Sequence, residues 1–402
     1  MNHRERVLTA LRHQEPDRVP IDLGGTDITS IMTGSYRGLR QHLGLGAGKT
    51  RVADIEQQVV VMEEDVRQAF GVDVMFVSHE PNEWRKGSLA DGSPVEFPAK
   101  FLPKLQDDGS HVIYDGLGNV VLKKSKRGHD FYPVYSPLSE ATSVDDIEKC
   151  THYIENYDTP FYLDKSYEEL ARKAKTLREN TDYLLVGQFG GHILQGGLEL
   201  RGWETFMMDL LANPKLAEAL MDKLVQAHIR RFERYAETVG QYIDVVMFYD
   251  DLGSQAQPLV GPELYRKMIK PYQKELFSFA KSKCDAYLLF HSDGAIAKLI
   301  PDLIEMEVDA LNPLQVSAEG MDTKELKREF GQDICFWGGG CNSQTVLPFG
   351  TPEQIADEAR RRIDDLAPGG GFVFASVQNI QDEVPPENIA ALFETALEYG
   401  AY

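Results

Sequence analysis

Residues 245–251 read VVMFYDD, an unbroken apolar run that ends in two acidic residues. A run without polar alternation is typical of a strand that is buried on both faces of a parallel sheet. A segment with helical periodicity follows at residues 262–281, and it opens with Pro262, which suits the first position of a helix. The next apolar run begins at Ala286. This stretch therefore predicts one strand–helix–strand unit of a parallel α/β fold.

The same unit recurs along the chain, because segments of helical periodicity separate eight apolar runs that each end in polar residues or glycine. The eight runs are Val19–Leu23, Val72–Val77, Tyr183–Phe189, Ile243–Tyr249, Ala286–Phe290, Ala310–Leu314, Ile334–Trp337 and Phe372–Ala375. Eight strands that alternate with helices predict a closed (β/α)₈ TIM-like barrel, an α/β fold, in a single domain over residues 1–402.

One region interrupts the alternation, from about residue 84 to residue 137. It is rich in Gly, Asp, Ser and Pro, and its short alternating pieces at 111–114 and 120–123 predict a hairpin around residues 115–119. We expect an excursion that leaves the barrel after its second strand and covers the barrel mouth as a lid.

Composition restricts the classes of function. The chain has 42 Lys and Arg against 63 Asp and Glu, a net charge of −21. Because such a chain repels polyphosphate and anionic lipid, we expect neither a nucleic-acid nor a membrane partner. No apolar stretch is long enough to span a bilayer, and the residues after Met1 are amphipathic rather than a signal-peptide core. Four widely spaced cysteines predict no disulfide framework, so we expect a cytoplasmic enzyme or small-molecule binder.

Polar side chains follow most of the apolar runs, and in barrels of this kind the carboxyl ends of the strands hold the active site. Acids, imidazoles, amides and a thiol would converge there, so we expect a small-molecule site. Any single one of these residues could instead cap a helix, as Asp293 could before Gly294. The substrate-binding candidates are Asp22, His79, Gln188, Tyr249, Gln315 and Asn379.

His291, Asp293 and Cys341 are the candidate metal ligands. Residues two apart at a strand end can turn toward one ion, and a residue from a later strand end would complete the site. Imidazole, carboxylate and thiolate all suit Zn²⁺, whose catalytic sites keep three protein ligands and one open position. The alternative is a structural role, because a buried cysteine is usually inert.

Asp250 and Asp251 end a buried strand and are the candidate catalytic acids. Paired carboxylates can separate their pKa values, which leaves one of them protonated as a general acid. The alternative is that one acid faces the barrel mouth while the other caps a helix or forms a salt bridge outside it.

With these residues the chain resembles the uroporphyrinogen decarboxylase superfamily, and within it the zinc-dependent, corrinoid-linked methyltransferases, which include coenzyme M methyltransferases and O-demethylases. The resemblance covers nearly the whole chain. The matching segments are Arg4–Val7, Glu15–Pro20, Asp250–Gly253, His291–Gly294, Asn312–Gln315 and Gly350–Glu353. The resemblance implies a TIM-like barrel, a zinc ion, and a corrinoid that a partner protein carries.

Two departures from the family pattern bear on the substrate. The methyltransferases hold zinc with a His-x-Cys pair and a later Cys; His291 and Cys341 match, whereas Asp293 replaces the first Cys. A carboxylate is a harder ligand than a thiolate and leaves the ion a better Lewis acid toward oxygen. The decarboxylases have an Arg-Gln-Ala-Gly-Arg stretch after the first strand, but residues 22–27 here are acidic. We therefore do not expect uroporphyrinogen, with its eight carboxylates, as the substrate.

The expected function is a methyltransferase that moves a methyl group from a small methylated substrate to the cobalt of a corrinoid protein. A methoxylated aromatic is the favoured donor, and methylamines and thiols stay open. Zinc would bind the leaving heteroatom, and Asp250 or Asp251 would protonate it. Two other functions stay open: a cofactor-free decarboxylase or lyase that uses the same acids, and a non-enzymatic binder of a corrinoid or tetrapyrrole. A homo-oligomer is compatible with the sequence.

Overall fold

The computed structural model describes residues 1–88, 92–115, 118–126, 128, 131–156 and 166–402. In this part of the chain the strands are β1 (Val52–Asp54), β2 (Val59–Val60), β3 (Val74–Val77), β4 (Trp84–Ser88), β5 (Pro94–Pro98), β6 (Lys104–Leu105), β7 (His111–Tyr114), β8 (Val120–Lys124), β9 (Tyr132–Pro133), β10 (Leu184–Gly190), β11 (Val245–Tyr249), β12 (Tyr287–His291), β13 (Ala310–Asn312), β14 (Cys335–Trp337) and β15 (Phe372–Val373).

The α-helices of the same residues fill most of the intervals between these strands. They are α1 (His3–Leu11), α2 (Thr33–His42), α3 (Glu64–Ala69), α4 (Val144–Lys149), α5 (Thr151–Glu155), α6 (Tyr167–Asn180), α7 (Leu194–Arg201), α8 (Trp203–Ala212), α9 (Pro214–Thr238), α10 (Pro262–Met268), α11 (Lys270–Lys283), α12 (Ile300–Glu305), α13 (Thr323–Phe330), α14 (Val346–Phe349), α15 (Pro352–Leu366) and α16 (Pro386–Tyr399). Short 3₁₀ turns lie at Gly240–Tyr242 and Ala297–Leu299.

The largest sheet consists of seven parallel strands in the order β3, β10, β11, β12, β13, β14, β15. The segment around Ile21 joins its two edges. Ile21 pairs in parallel with Phe374, just after β15, and its carbonyl accepts the N–H of Asp73, just before β3, at 2.8 Å. The fold is therefore a TIM-like α/β barrel, as predicted.

The first predicted strand, Val19–Leu23, contributes this bridge rather than a named strand. Pro20 has no N–H to donate to a neighbour, and the N–H of Ile21 is bonded to the side chain of Asp73 at 2.9 Å. The chain then turns at Gly24, whose φ of 76° favours glycine. The other seven apolar runs form strands in the predicted order.

Alternate residues of each strand pack against different apolar layers, which explains why the runs are continuously hydrophobic. On β11, Val245 and Met247 belong to the layer inside the barrel, together with Trp337. Val246 and Phe248 pack outward against the helices. Because both faces are covered, no polar residue interrupts the strand.

The region between β3 and α4 forms two small antiparallel sheets, β4–β5 and β6–β7–β8–β9. The predicted hairpin is present, since β7 pairs with β8; Gly116 and Leu117 of its turn lie outside the described residues. The backbone N–H groups of Glu96 and Phe131 donate to the carbonyls of Thr50 and Glu56, at 3.0 and 2.8 Å. The excursion is thus attached to residues 50–56.

Residues 50–57 in turn contact the end of the barrel that the strands point toward. The side chain of Asn379, which follows β15, donates to Gln57. The excursion therefore connects, through this segment, to the carboxyl ends of the strands.

The four cysteines are free thiols, as predicted. Within the described ranges, no helix has the length and apolar character that crossing a membrane requires.

Candidate active site at the carboxyl ends of the strands

Asp251, His291 and Asp293 meet where β11 and β12 end, and each offers one ligand atom within 4.8 Å of the other two. His291 Nε2 lies 3.6 Å from Asp251 Oδ1 and 3.9 Å from Asp293 Oδ2. The register explains the meeting, because His291 is paired with Tyr249 on the neighbouring strand. The backbone N–H of Asp293 donates to Asp251 Oδ1 at 3.0 Å, which holds the two acids together.

Asn312, the last residue of β13, determines which nitrogen of His291 is protonated. The Asn312 amide group donates through Nδ2 to the carbonyl of Trp337 at 3.0 Å, so its oxygen must face the other way. That oxygen accepts from His291 Nδ1 at 2.9 Å. Nδ1 therefore holds the proton, and the lone pair of Nε2 points toward the two carboxylates.

Asp293 has one bonded and one unbonded carboxylate oxygen. Oδ2 accepts a hydrogen bond from Gln378, whereas Oδ1 is buried without a partner among the described residues. Burial raises the pKa of Asp293, an effect that His291 opposes and Asp251 reinforces. A buried oxygen without a partner is unfavourable, and a cation at this position would satisfy it. The three side chains therefore fit a divalent metal ion.

Cys341, the predicted third ligand, does not belong to this group. Its thiol is fully buried, and burial raises its pKa, with Glu358 and Arg362 of α15 as the next largest influences. Gly338 and Gly339 both have positive φ and turn the backbone between β14 and Cys341. The structure thus groups Asp251, instead of Cys341, with the other two predicted ligands.

Asp250, predicted as a catalytic acid, caps helix α7. It accepts the backbone N–H groups of residues 193, 194 and 195 at 3.2, 2.9 and 2.8 Å, and the amide of Gln273 at 2.7 Å. Burial raises its pKa to about 6, and the backbone donors oppose that shift. Of the two neighbouring acids, Asp251 faces the site and Asp250 is structural, which is the alternative that the sequence left open.

Asp22 is likewise a structural residue rather than a substrate contact. It is fully buried, accepts from Trp337 Nε1 at 2.7 Å, and accepts from the N–H of Gly25 at 2.7 Å. It therefore fixes the turn that follows the barrel-closing segment.

The remaining predicted substrate residues are divided between the site and its surroundings. Gln315 accepts the N–H of Gly294 at 2.8 Å and so supports the loop of Asp293. His79 lies against the ring of Tyr167 on α6, with ring centroids 5.8 Å apart. His79 is thus packed against a surrounding helix.

Gln188 and Tyr249 both donate to Asp27, a residue that the sequence analysis missed. Gln188 Nε2 lies 2.6 Å from Asp27 Oδ2, and the Tyr249 hydroxyl donates to Oδ1. Burial raises the pKa of Asp27 to about 6, although the Tyr249 hydrogen bond opposes the shift. The centroid of the Tyr249 ring also lies 5.7 Å from that of His291. Tyr249 thus links Asp27 to the end of the barrel that holds His291.

Asn379 holds the Asp27 loop in place. Its side chain donates to the carbonyl of Asp27 at 2.8 Å and accepts the N–H of Ser30 at 2.7 Å. The sequence signals for Asp27 are its place after the first apolar run and the acidic character of residues 22–27, in a loop with no periodicity.

Glu56, also missed, is a further acidic residue beside the barrel mouth. Its pKa is raised to about 8, chiefly by burial and also by the neighbouring Asp54 and Glu199, whereas His192 opposes the rise. The His192 ring stacks on Tyr249 with centroids 5.6 Å apart. Asp54 and Glu56, in the segment to which the excursion is attached, and Glu199 of α7 thus border the site.

A cavity of about 620 Å³ opens beside Asp293. A second cavity of about 600 Å³ lies at the opposite end of the barrel, where Arg4, Asp244 and Tyr287 contribute to its lining. None of the predicted site residues lines this second cavity.

The sequence profile described as "Uroporphyrinogen decarboxylase (URO-D)" matches residues 156–399, more than half of the chain. The uroporphyrinogen decarboxylase of Neisseria meningitidis serogroup C (strain 053442) is 22% identical over 211 residues, 52% of this chain and 55% of that protein. That of Syntrophotalea carbinolica is 27% identical over 181 residues, 45% and 48% of the two chains. The chain thus spans about half the length of the curated relatives it matches.

Among solved structures, a methyltransferase from Methanosarcina mazei superposes with a TM-score of 0.60 at 16% identity, over 99% of both chains. At this identity the likeness shows a shared fold.

Proposed function

The chain belongs to the uroporphyrinogen decarboxylase family, and from this premise we propose that it is a methyltransferase that acts with a corrinoid protein. It moves a methyl group from a small methylated substrate, with a methoxylated aromatic as the favoured donor, to the cobalt of the corrinoid. The proposal rests on one observation above all: Asp251, His291 and Asp293 offer three ligand atoms at the barrel mouth.

The proposed metal is zinc, held by Asp251, His291 and Asp293. The free lone pair of His291 Nε2 and the unpartnered Oδ1 of Asp293 support this choice. When bound, zinc supplies Lewis acidity toward the leaving oxygen of the substrate. Two carboxylates and one imidazole are a harder ligand set than the one that includes Cys341, so the preference for an oxygen leaving group becomes stronger.

We assign proton delivery to Asp27. Asp250 already accepts four hydrogen bonds inside the fold and cannot reach a substrate. Asp27 keeps a proton up to about pH 6 and lies at the mouth with Tyr249. The C–O bond of the donor breaks, its electron pair stays on oxygen, and that oxygen takes the proton of Asp27. The methyl group passes to the reduced cobalt, and solvent returns a proton to Asp27.

A decarboxylase is the second candidate, because the curated relatives named above are uroporphyrinogen decarboxylases. The charge of the mouth opposes their substrate. Asp54 and Glu199 border it, and the described lining of the cavity beside Asp293 includes no Lys or Arg. A ring with several carboxylates would find no charge partner there, so we favour methyl transfer.

The test combines the purified protein with reduced corrinoid and a panel of methoxylated aromatics, methylamines and methylthiols, while absorbance follows cobalt alkylation. We expect a methoxylated aromatic to yield methyl-cobalt and the free phenol in equal amounts, and the His291→Ala variant to yield neither. If no donor alkylates the corrinoid while the protein alone releases carbon dioxide from a carboxylic acid, the decarboxylase function replaces this proposal. Retention of a corrinoid without turnover would instead indicate a binder.

A further inference from the structure

The cavity beside Asp293 has an unusual lining, in which amide side chains outnumber every other type. The amide residues are Gln255, Gln315, Gln344, Gln378, Asn379 and Gln381. Val377 is the one apolar side chain larger than alanine in the described lining, which also includes Asp293 and Glu383 and has no cationic or aromatic side chain.

Several of these amides keep hydrogen-bonding capacity after their contacts with the other described residues. Gln315 uses its oxygen for the N–H of Gly294 and keeps its NH₂ group. Gln381 donates to the carbonyl of Asn379 at 3.0 Å and keeps its oxygen. Gln255 and Gln344 are exposed at the rim.

The unused groups include both donors and acceptors, which is what a primary carboxamide requires. A carboxamide offers two N–H donors and one carbonyl acceptor, so it pairs with glutamine side chains in either direction. A carboxylate would meet Asp293 and Glu383 with no cation to offset them. A flat aromatic methyl donor would need apolar walls, which this cavity lacks.

The position of the cavity suits a methyl acceptor, because the cavity lies beside the proposed metal ligands. Asp293 lines it and also belongs to the proposed ligand group. Asp27 and Tyr249 are not among its lining residues, so they border a different part of the mouth. A molecule in the cavity would therefore lie next to the reacting centre without occupying the place of the donor.

We propose that this cavity binds the peripheral carboxamides of the corrin ring, an inference that rests on the proposed methyl transfer to a corrinoid. The corrin periphery bears acetamide and propionamide side chains, which are neutral and which both donate and accept. The cavity beside Asp293 would hold these side chains next to the proposed metal ligands.

Equilibrium dialysis tests the inference with two free corrinoids and three forms of the full-length protein. Cobinamide keeps the carboxamide side chains, whereas cobyrinic acid has carboxylates in their place. The variant Gln255→Ala/Gln344→Ala removes two rim amides, and the control Gln241→Ala removes an exposed glutamine that lines the cavity at the opposite end of the barrel. Absorbance of the corrinoid reports binding without any turnover.

We expect wild type and Gln241→Ala to bind cobinamide equally, and the double variant to bind it about tenfold more weakly, as the loss of two hydrogen bonds implies. Cobyrinic acid should bind at least tenfold more weakly than cobinamide to wild type. The inference is overturned if wild type binds both corrinoids alike, binds neither, or loses nothing in the double variant. Methyl transfer to the carrier-borne corrinoid, measured on the same preparation, decides the proposed function separately.

Discussion

A single hydrogen bond from His291 Nδ1 to Asn312 Oδ1 leaves Nε2 of the imidazole as a lone-pair donor facing two carboxylates. Its direction is fixed because the amide nitrogen of Asn312 is bonded to the Trp337 carbonyl. A partner of this kind orients a metal-binding histidine and sets its tautomer.

Replacing this partner should weaken metal binding without touching a ligand. We expect Asn312→Leu to lower zinc affinity about 10- to 100-fold, the usual effect of losing such an orienting group. Competition with a chromogenic chelator measures the affinity. Asn388→Leu is the control, since Asn388 is equally buried and bonded to two backbone carbonyls elsewhere. Equal losses in both variants would contradict the role given to Asn312.

The proposed ligand set predicts different zinc contents for two variants. Asp251→Ala should purify with far less than one zinc per chain, because a three-ligand site loses a ligand. Cys341→Ser should keep its zinc, since its thiol lies outside the group. Elemental analysis after dialysis against metal-free buffer gives both values. Loss of zinc in Cys341→Ser, with retention in Asp251→Ala, would restore the ligand set expected from the sequence.

Proton delivery by Asp27 predicts a pH profile. Because the acid form is required and its pKa is about 6, the rate of phenol release should fall as pH rises through that value. Asp27→Asn should lower the rate about 10²- to 10⁴-fold, as loss of a general acid does, and should flatten the profile. Initial rates with one methoxylated donor across pH 5 to 8 provide the measurement. A variant with the wild-type profile would exclude Asp27 as the donor.

Asp250 should matter for stability. Asp250→Ala leaves three backbone N–H groups at the start of α7 and the Gln273 amide without their acceptor, and we expect a loss of about 1–3 kcal/mol in the free energy of unfolding. Urea denaturation followed by circular dichroism measures it. Asp251→Ala is the matched control and, with all proteins measured metal-free, should change stability by less than about 0.5 kcal/mol. The reverse order of the two losses would contradict the assignment.

The raised pKa of Glu56 implies that the stability of the fold depends on pH. Its pKa is raised from 4.5 to about 8 in the fold, so between these values the folded state binds more protons than the unfolded state. Stability should therefore fall as pH rises across this window. Glu56→Gln should remove that part of the slope and be the more stable form at pH 8. Melting temperatures at several pH values test this, and an unchanged slope in the variant would contradict it.

The barrel could be predicted because a strand that is buried on both faces has a continuously apolar sequence. Val245 and Val246 point to opposite layers, yet both layers are apolar, so the run is continuous. The pairing of strand ends also follows from topology, which is why His291 and Asp293 were found together with Asp251 nearby.

The direction of individual side chains and the loop acids could not be predicted. Cys341 follows a strand end as the ligands do, but the positive φ angles of Gly338 and Gly339 decide where it points, and spacing does not encode them. Asp27 and Glu56 lie in irregular loops, where no periodicity marks a residue as inward-facing. Asp250 and Asp251 are adjacent, so only the hydrogen bonds distinguish the helix cap from the site acid.

The barrel closes at the bridge of Ile21, and we call this closure the seam. Residues near opposite ends of the chain must meet there, so its closure costs more chain entropy than the pairing of successive strands. If the bridge opened, the free sides of β3 and β15 would present unpaired N–H and C=O groups, which are templates for strands of another molecule. The seam is therefore where we expect a partly opened molecule to begin self-association.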